Sequence, residues 1–270
     1  MKSGQLTSLT TVPLLKWAGG KRWLLPHIQC IWQSHQNRRY VEPFCGGLAV
    51  AIGLQPRRAV LNDINFHLIN LYRHVRLGLS LQISARYNQR LFYKHRDRFN
   101  SLIEDGRTNT PEAAELFYYL NRTCFNGLCR FNQNEKFNVP FGQYKKVRYT
   151  KTFDQYRALF RHWSFTSRDF EKIQIRPDDF IYADPPYDAL NSDAFTAYTA
   201  NGFSWRDQIR TAEFLARHDG PVLLSNLATP RITRLYRGLG FRLQFLNAPR
   251  RISCDGNRRS AKEVLASRNL

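Results

Sequence analysis

The chain has 270 residues, 43% apolar and 14% aromatic, enough for one large packed domain or a core domain carrying an insertion. Its 41 Lys and Arg against 21 Asp and Glu leave a formal charge of +20, an excess that predicts a polyanionic partner. No apolar run reaches the ~18 residues of a membrane span and the N-terminus lacks a compact apolar signal core, so nucleic acid is favoured over a membrane surface.

In chain order, a loop, Lys16-Trp17-Ala18-Gly19-Gly20-Lys21, precedes a helix predicted from Arg22. A short strand, Tyr40-Val41-Glu42, runs through the turn Phe44-Cys45-Gly46-Gly47 into a helical stretch from Leu48 to Leu54. A second strand, Ala59 to Asp63, is followed by helical periodicity from Leu68 through Val75. Strand, glycine turn, helix and a strand ending in an acid are the opening of a doubly wound α/β sheet. From about Leu77 to Asn121 the pattern is mostly helical, with Pro111 at the first turn of one helix. Strands are then expected at Ser164–Ser167, Phe180–Ala183, Val222–Ser225 and Phe241–Phe245, with helices near Trp205–Arg217 and Arg231–Tyr236. The expected organisation is a catalytic domain formed by residues 1–70 and 150–270, interrupted by an insertion over 71–149.

Three segments carry chemistry. Glu42-Pro43-Phe44-Cys45-Gly46-Gly47 leaves a strand for a helix and lets a ligand approach the backbone closely, and Asp63 ends the next strand, where a carboxylate can accept from ribose hydroxyls. An ordinary strand–helix turn with a solvated Asp63 is the alternative. Phe180-Ile181-Tyr182-Ala183-Asp184-Pro185-Pro186-Tyr187 runs an apolar strand into a stiff loop. Asp184 and the Pro185 carbonyl can together accept both hydrogens of an amino group while Tyr187 stacks on a base; the alternative is a rigid strand-end turn. Residues 122–151 hold seven basic side chains against one acid, interleaved with Phe125, Phe131, Phe137, Phe141, Tyr144 and Tyr149. That mixture suits phosphate contacts and base stacking better than a merely solvated basic surface.

The five cysteines form no Cys-x-x-Cys pair, the seven histidines have no metal spacing, and no metal is expected. The scattered, odd-numbered thiols fit a reducing cytoplasm.

Taken together, the motifs resemble the Dam-type DNA adenine-N6 methyltransferases. The resemblance runs through Lys16–Lys21, Glu42-Pro43-Phe44-x-Gly46, Asn62-Asp63-Ile64-Asn65 and Asp184-Pro185-Pro186-Tyr187. It also takes in Asn126–Asn132, Phe137–Lys146, Arg250-Arg251-Ile252-Ser253 and Lys262-Glu263-Val264-Leu265. It implies a Rossmann-like methyltransferase sheet with an inserted, mostly helical, hairpin-containing DNA-recognition domain, S-adenosyl-L-methionine as cofactor and double-stranded DNA as partner. It implies further that Trp17, Lys21, Phe44, Gly46, Asp63 and Asp184 bind the cofactor, with Asp169-Phe170 a looser match beside its adenine. Asp184, Pro185 and Tyr187 would be catalytic, holding a flipped adenine whose N6 receives the methyl group, within GATC. Phe125, Asn126, Leu128, Arg130, Pro140 and Tyr144 would contact DNA, Phe125 and Asn126 entering the stack and Arg130 reading a guanine edge. Leu48 departs from the family, which often has a second glycine there, and Phe125 stands where close relatives often carry tyrosine. A cytosine-N4 methyltransferase, a catalytically inactive DNA-binding regulator and an RNA methyltransferase are the rival readings. Asp184, in place of the serine more usual in the N4 enzymes, argues for adenine. The retention of Trp17, Lys21, Asp63 and Asp184 argues for activity.

Overall fold

Short apolar runs ending in polar turns become the strands of a seven-stranded sheet in the order β3-β2-β1-β4-β5-β7-β6. The computed structural model describes residues 11–150, 152–188, 202–248 and 261–270. The strands are β1 (Tyr40–Glu42), β2 (Ala59–Asn62), β3 (Trp163–Thr166), β4 (Phe180–Ala183), β5 (Val222–Leu227), β6 (Arg242–Ala248) and β7 (Ala261–Arg268). The first five lie parallel, while β7 is antiparallel to both β5 and β6. β1 and β4 are buried along their whole length, as expected of parallel strands covered on both faces.

Strand β7 was not expected. Its sequence, Ala-Lys-Glu-Val-Leu-Ala-Ser-Arg, is rich in helix formers, but pairing on both edges overrides local preference and buries Val264, Leu265 and Ala266 in succession. Helix α6 (Asp154–Phe160), too short to show a period, was likewise not foreseen. The quoted motif Arg250–Ser253 and Cys254 lie outside the described residues.

The remaining helices are α1 (Leu25–Trp32), α2 (Ala49–Leu54), α3 (Phe66–Leu77), α4 (Gln89–Glu104), α5 (Pro111–Thr123), α7 (Trp205–Ala216) and α8 (Pro230–Gly238). Polar caps fix the starts of α3, α4, α5, α7 and α8. Asn65 and Asn88 accept from the third residue of α3 and α4, Thr110 precedes Pro111 at α5, and Ser204 with Asp207 forms a capping box on α7.

One face of the sheet packs against α7 and α8 through Ile181, Leu215, Ile232 and Tyr236. On the other, α3 joins the sheet to the helical segment, so that Phe92, Phe99 and Phe117 share a single core with Leu24, Tyr40 and Tyr72. Residues 124–141 carry the expected hairpin as two isolated antiparallel bridges, Cys124 with Phe141 and Phe131 with Phe137. Order 3-2-1-4-5 reverses direction between β1 and β4, and the loops after their C-terminal ends form the crevice where open α/β sheets bind ligands.

Candidate active site

The loop after β1 makes its turn through two glycines, Gly46 and Gly47, and then Leu48. Gly46 has φ +41°, and a Cβ there would come within 2.7 Å of the Trp17 indole nitrogen. A Cβ on Gly47 would meet the Trp17 Cβ at 2.7 Å, so the indole lies directly over a bare backbone. Leu48 completes the turn in the left-handed region, φ +60° and ψ 25°, with its side chain fully buried. The turn therefore survives without the second glycine, at the strain of an L-residue in that region.

Asp63 follows β2 and ties two loops together. One of its oxygens accepts from the Gly46 N–H at 3.0 Å and the other from the Asn65 N–H at 2.9 Å. Burial raises its carboxyl above the usual range, and these two N–H groups partly offset that. A carboxylate has about four acceptor positions, so capacity remains for a bound hydroxyl pair. Glu42, at the end of β1, is buried, and burial together with the neighbouring Asp184 charge pushes its carboxyl well above the usual range. Its Oε2 is a buried oxygen with no hydrogen-bond partner in the structure.

Beyond β4 the same crevice holds Asp184. The buried Lys21 ammonium lies 3.1 Å from its Oδ2 and donates to the Gly19 carbonyl at 2.9 Å, while Ser225 Oγ, on β5, donates to Oδ1 at 2.8 Å. Burial raises the Asp184 carboxyl, and Lys21 and then Ser225 pull it part of the way back. Lys21 also sits 4.4 Å from the centre of the Tyr187 ring. The Tyr187 hydroxyl donates to Glu263 of β7 at 2.5 Å, and burial, Asp184 and Glu263 all hold its pKa well above the ordinary value.

The back of this loop is pinned by a buried polar network. Gln208 on α7 donates to the Pro186 carbonyl at 2.7 Å and accepts from Asn226 at 2.9 Å. Asp188 accepts from Thr229 and pairs with Arg231, which lies over the Trp205 ring. Phe44 packs against Phe170 and Phe203, and Asp169 pairs with Arg210.

After α5, residue 125 opens a segment in which Gly127 lies against Lys16 and Cys129 accepts from Asn65. Phe125 is 49% exposed and Asn126 is exposed with φ 52°, a left-handed position that lifts the pair off the surface. Pro140 is exposed and its carbonyl accepts from the Phe125 N–H; Leu128 is half-buried; Arg130 donates from Nε to Asn138. Tyr144 braces from behind, its hydroxyl donating to the Cys124 carbonyl at 2.6 Å. The other aromatics of the basic segment mostly pack inward. Phe137 is 1% exposed, Phe131 stacks on His67, Phe141 on Tyr87 and Tyr149 on Tyr119.

Sequence reasoning assigned no role to Lys16, Asn121, Ser225 or Glu263. Lys16 exchanges main-chain bonds with the Asn121 amide, donates to the Arg122 carbonyl and lies 3.2 Å from the centre of the Tyr144 ring. Asn121 also donates to the Gly127 carbonyl, so it joins the first loop to the exposed Phe125 turn. Lys16 and Glu263 did stand inside recognised motifs, whereas nothing in the sequence ties Ser225 to Asp184.

A glycine turn under an indole, two strand-end carboxylates and an Asp-Pro-Pro-Tyr loop thus meet at the switch point. Residues 17–250 match the family of D12 class N6 adenine-specific DNA methyltransferases. The chain belongs to this family. It is 37% identical over 252 residues to the type II methyltransferase M1.LlaDCHI of Lactococcus lactis subsp. cremoris, covering 86% of this chain and 87% of that one. With the DNA adenine methylase of Escherichia coli K12 it shares 34% identity over 268 residues, 93% of each chain. The DNA N-6-adenine-methyltransferase of Escherichia phage P1 is 34% identical over 93% of this chain but 35% of its own length. This D12-class enzyme is thus an adenine-N6 DNA methyltransferase. Among its described residues no helix is long and apolar enough to cross a membrane, and no three His, Cys, Asp or Glu are grouped to hold a metal ion.

Proposed function

We propose that the enzyme transfers methyl from S-adenosyl-L-methionine to N6 of an adenine flipped out of duplex DNA, within GATC. The observation that carries this reading is Asp184, held between Lys21 and Ser225, with the same Lys21 ammonium over the neutral Tyr187 ring. An ionised carboxylate and the Pro185 carbonyl accept the two N6 hydrogens, concentrating the nitrogen lone pair on the side away from them, and the tyrosine ring supplies the stacking that the base loses on leaving the helix. Burial disfavours the ionised form of Asp184, and Lys21 is the largest influence opposing it. No covalent intermediate is needed; rate comes from positioning and a preorganised field.

The donor pocket suits S-adenosylmethionine. The half-used Asp63 carboxylate and the unpartnered Glu42 oxygen are features that a ribose diol and a methionyl ammonium would satisfy, beside the Trp17 indole packed on Gly46 and Gly47. When bound, its sulfonium supplies the electrophilic methyl group. Trp17, Lys21, Phe44, Gly46 and Asp63 hold it, with Asp184 bordering both substrates. Residues 71–149 read the target, and the segments on either side form the catalytic domain. Phe125 and Asn126 take the place of the flipped base, Arg130 reads a guanine edge, and Leu128, Pro140 and Tyr144 support that surface.

The test is transfer of labelled methyl to matched duplexes with and without GATC, followed by nucleoside analysis. N6-methyladenine in the GATC duplex alone is expected. Methylation of both duplexes removes the sequence assignment, and transfer to neither removes the reading.

A further inference from the structure

Parallel strands have two unlike edges. The crevice uses the C-terminal edge, and the residues that precede the strands crowd the opposite one with cations. Arg38 and Arg39 precede β1, Arg57 and Arg58 precede β2, and Arg161 stands two residues before β3. β2 and β3 pair from Ala59 opposite Trp163, with the Ala59 N–H bonded to the His162 carbonyl, so Arg58 and Arg161 lead into adjacent strands whose backbones are about 4.8 Å apart. Beside them Arg76 at the end of α3 and Arg157 on α6 extend the row, the Arg157 guanidinium lying against Gly78.

Two surface cavities open on this edge. One, of about 320 Å³, is lined by Arg38, Arg57 and Arg58 with Gln36 and Asn37. The other, of about 670 Å³, is lined by Arg76, Arg157 and Arg161 with Asp154. Arg57, Arg58, Arg76, Arg157 and Arg161 are all exposed. Arg38 and Arg76 are steadied by main-chain carbonyls, those of Asp178 at 2.7 Å and Trp163 at 2.9 Å. Among the described residues none of these six arginines is in an ion pair, in contrast to Arg39, which Asp179 neutralises. Six unpaired guanidiniums along one edge repel one another and are relieved by an anion with regularly spaced charges.

We propose that this arginine edge is a second duplex-binding surface, which holds a segment of DNA other than the one being methylated. Membership in a family that acts on DNA supplies the polyanion. Four-residue strands alone separate the two edges by roughly 13 Å, and duplex DNA with a persistence length of about 50 nm cannot turn tightly enough for one short segment to reach both. The occupant is therefore a distal part of the same molecule or a second molecule, held through phosphates without reading sequence.

The experiment titrates the whole enzyme at low salt with a duplex just long enough to cover the recognition sequence. The parent is expected to bind two duplexes per chain, and an Arg57→Ala/Arg58→Ala/Arg161→Ala variant one. Methyl transfer to the short duplex should be unchanged in that variant, which separates this result from any failure of the catalytic reading. On long DNA the variant's salt slope should fall by about 2.7, at roughly 0.9 for each phosphate that an arginine no longer neutralises, and lysine at the same three positions should restore it. One duplex per parent chain overturns the proposal whether or not the variant folds. So does a loss of short-duplex affinity and transfer together in a folded variant, which would assign the edge to the catalytic interface.

Discussion

The Lys21 ammonium stands 3.1 Å from an Asp184 oxygen and 4.4 Å from the centre of the Tyr187 ring, so a single cation from the first loop holds the acid and the aromatic of the Asp-Pro-Pro-Tyr loop in register. The N-terminal loop and the loop after β4 are far apart in sequence. Asp184→Ala removes the acceptor while leaving the exposed Phe125 turn intact. Methyl transfer should fall by at least about 10²-fold, the scale of losing one preorganised polar group, with duplex affinity retained. Single-turnover transfer and a binding titration on the same variant check this, and full activity would remove Asp184 from the mechanism.

Acidity should follow from the same contact. Burial raises the Asp184 carboxyl and Lys21 is the largest influence opposing it. The acid must be ionised to accept from the amine, so activity should fall as pH drops, with a midpoint above the ordinary carboxylate value of about 4. Lys21→Met should move that midpoint further up. A pH–rate profile with the midpoint unmoved in Lys21→Met would show that Lys21 does not govern the acid.

Leu48 offers a reversal of the usual ranking of small residues. Alanine in an ordinary helical position is more stable than glycine by roughly 0.5–1 kcal/mol. At φ +60° the alanine keeps the left-handed strain, about 1–2 kcal/mol, that glycine escapes. Both variants lose a fully buried side chain, at a cost of about 2–5 kcal/mol. Denaturant unfolding should therefore place Leu48→Gly above Leu48→Ala, with both below the parent. The opposite order would show that the turn relaxes out of the left-handed region.

Phe125 and Phe137 lie in one segment and should respond in opposite ways. Phe125→Ala removes an exposed ring, so stability should change by less than about 0.5 kcal/mol while KM for duplex DNA rises. Phe137→Ala empties a buried site and should cost about 3–5 kcal/mol of stability. Thermal unfolding beside steady-state kinetics separates the two, and an unchanged KM in Phe125→Ala would take this ring out of the DNA contact.

Lys16 titrates low, at about 8, because burial and then the Arg122 charge disfavour its ammonium form. The unfolded chain holds that proton more tightly. Lys16's contribution is thus least favourable below about pH 8 and improves as pH rises toward the ordinary lysine value of 10.5. The stability difference between parent and Lys16→Met, followed across that window, should shift in the parent's favour as pH increases. A flat difference would mean that Lys16 stays solvated.

The local signals that were legible in the sequence are those that depend on neighbours in the chain. The apolar runs of β1, β2 and β4, Pro111 opening α5, and the Gly46 and Asp184-Pro185-Pro186-Tyr187 turns all follow from local backbone chemistry, and their order along the chain is enough for the sheet class and the family. The resemblance singled out Phe125 as a presented ring, but residue type and spacing alone did not say which aromatics of the basic segment reach solvent. Phe125 and Phe137 are the same residue type, and only the packing of α4 and α5 against the segment separates a buried ring from a presented one.

The tertiary structure alone decided that Ala261–Arg268 is a strand, because two flanking strands supply its hydrogen bonds against its own helical preference. It alone brought Ser225 and Lys21 to Asp184 and Glu263 to Tyr187, contacts that span 41, 163 and 76 residues. It also sorted the +20 charge, leaving unpaired arginines at the edge of the sheet opposite the crevice. The reason is the same in each case. Composition and spacing set what a segment can do, but contacts across such separations exist only once the sheet order fixes which loops share an edge.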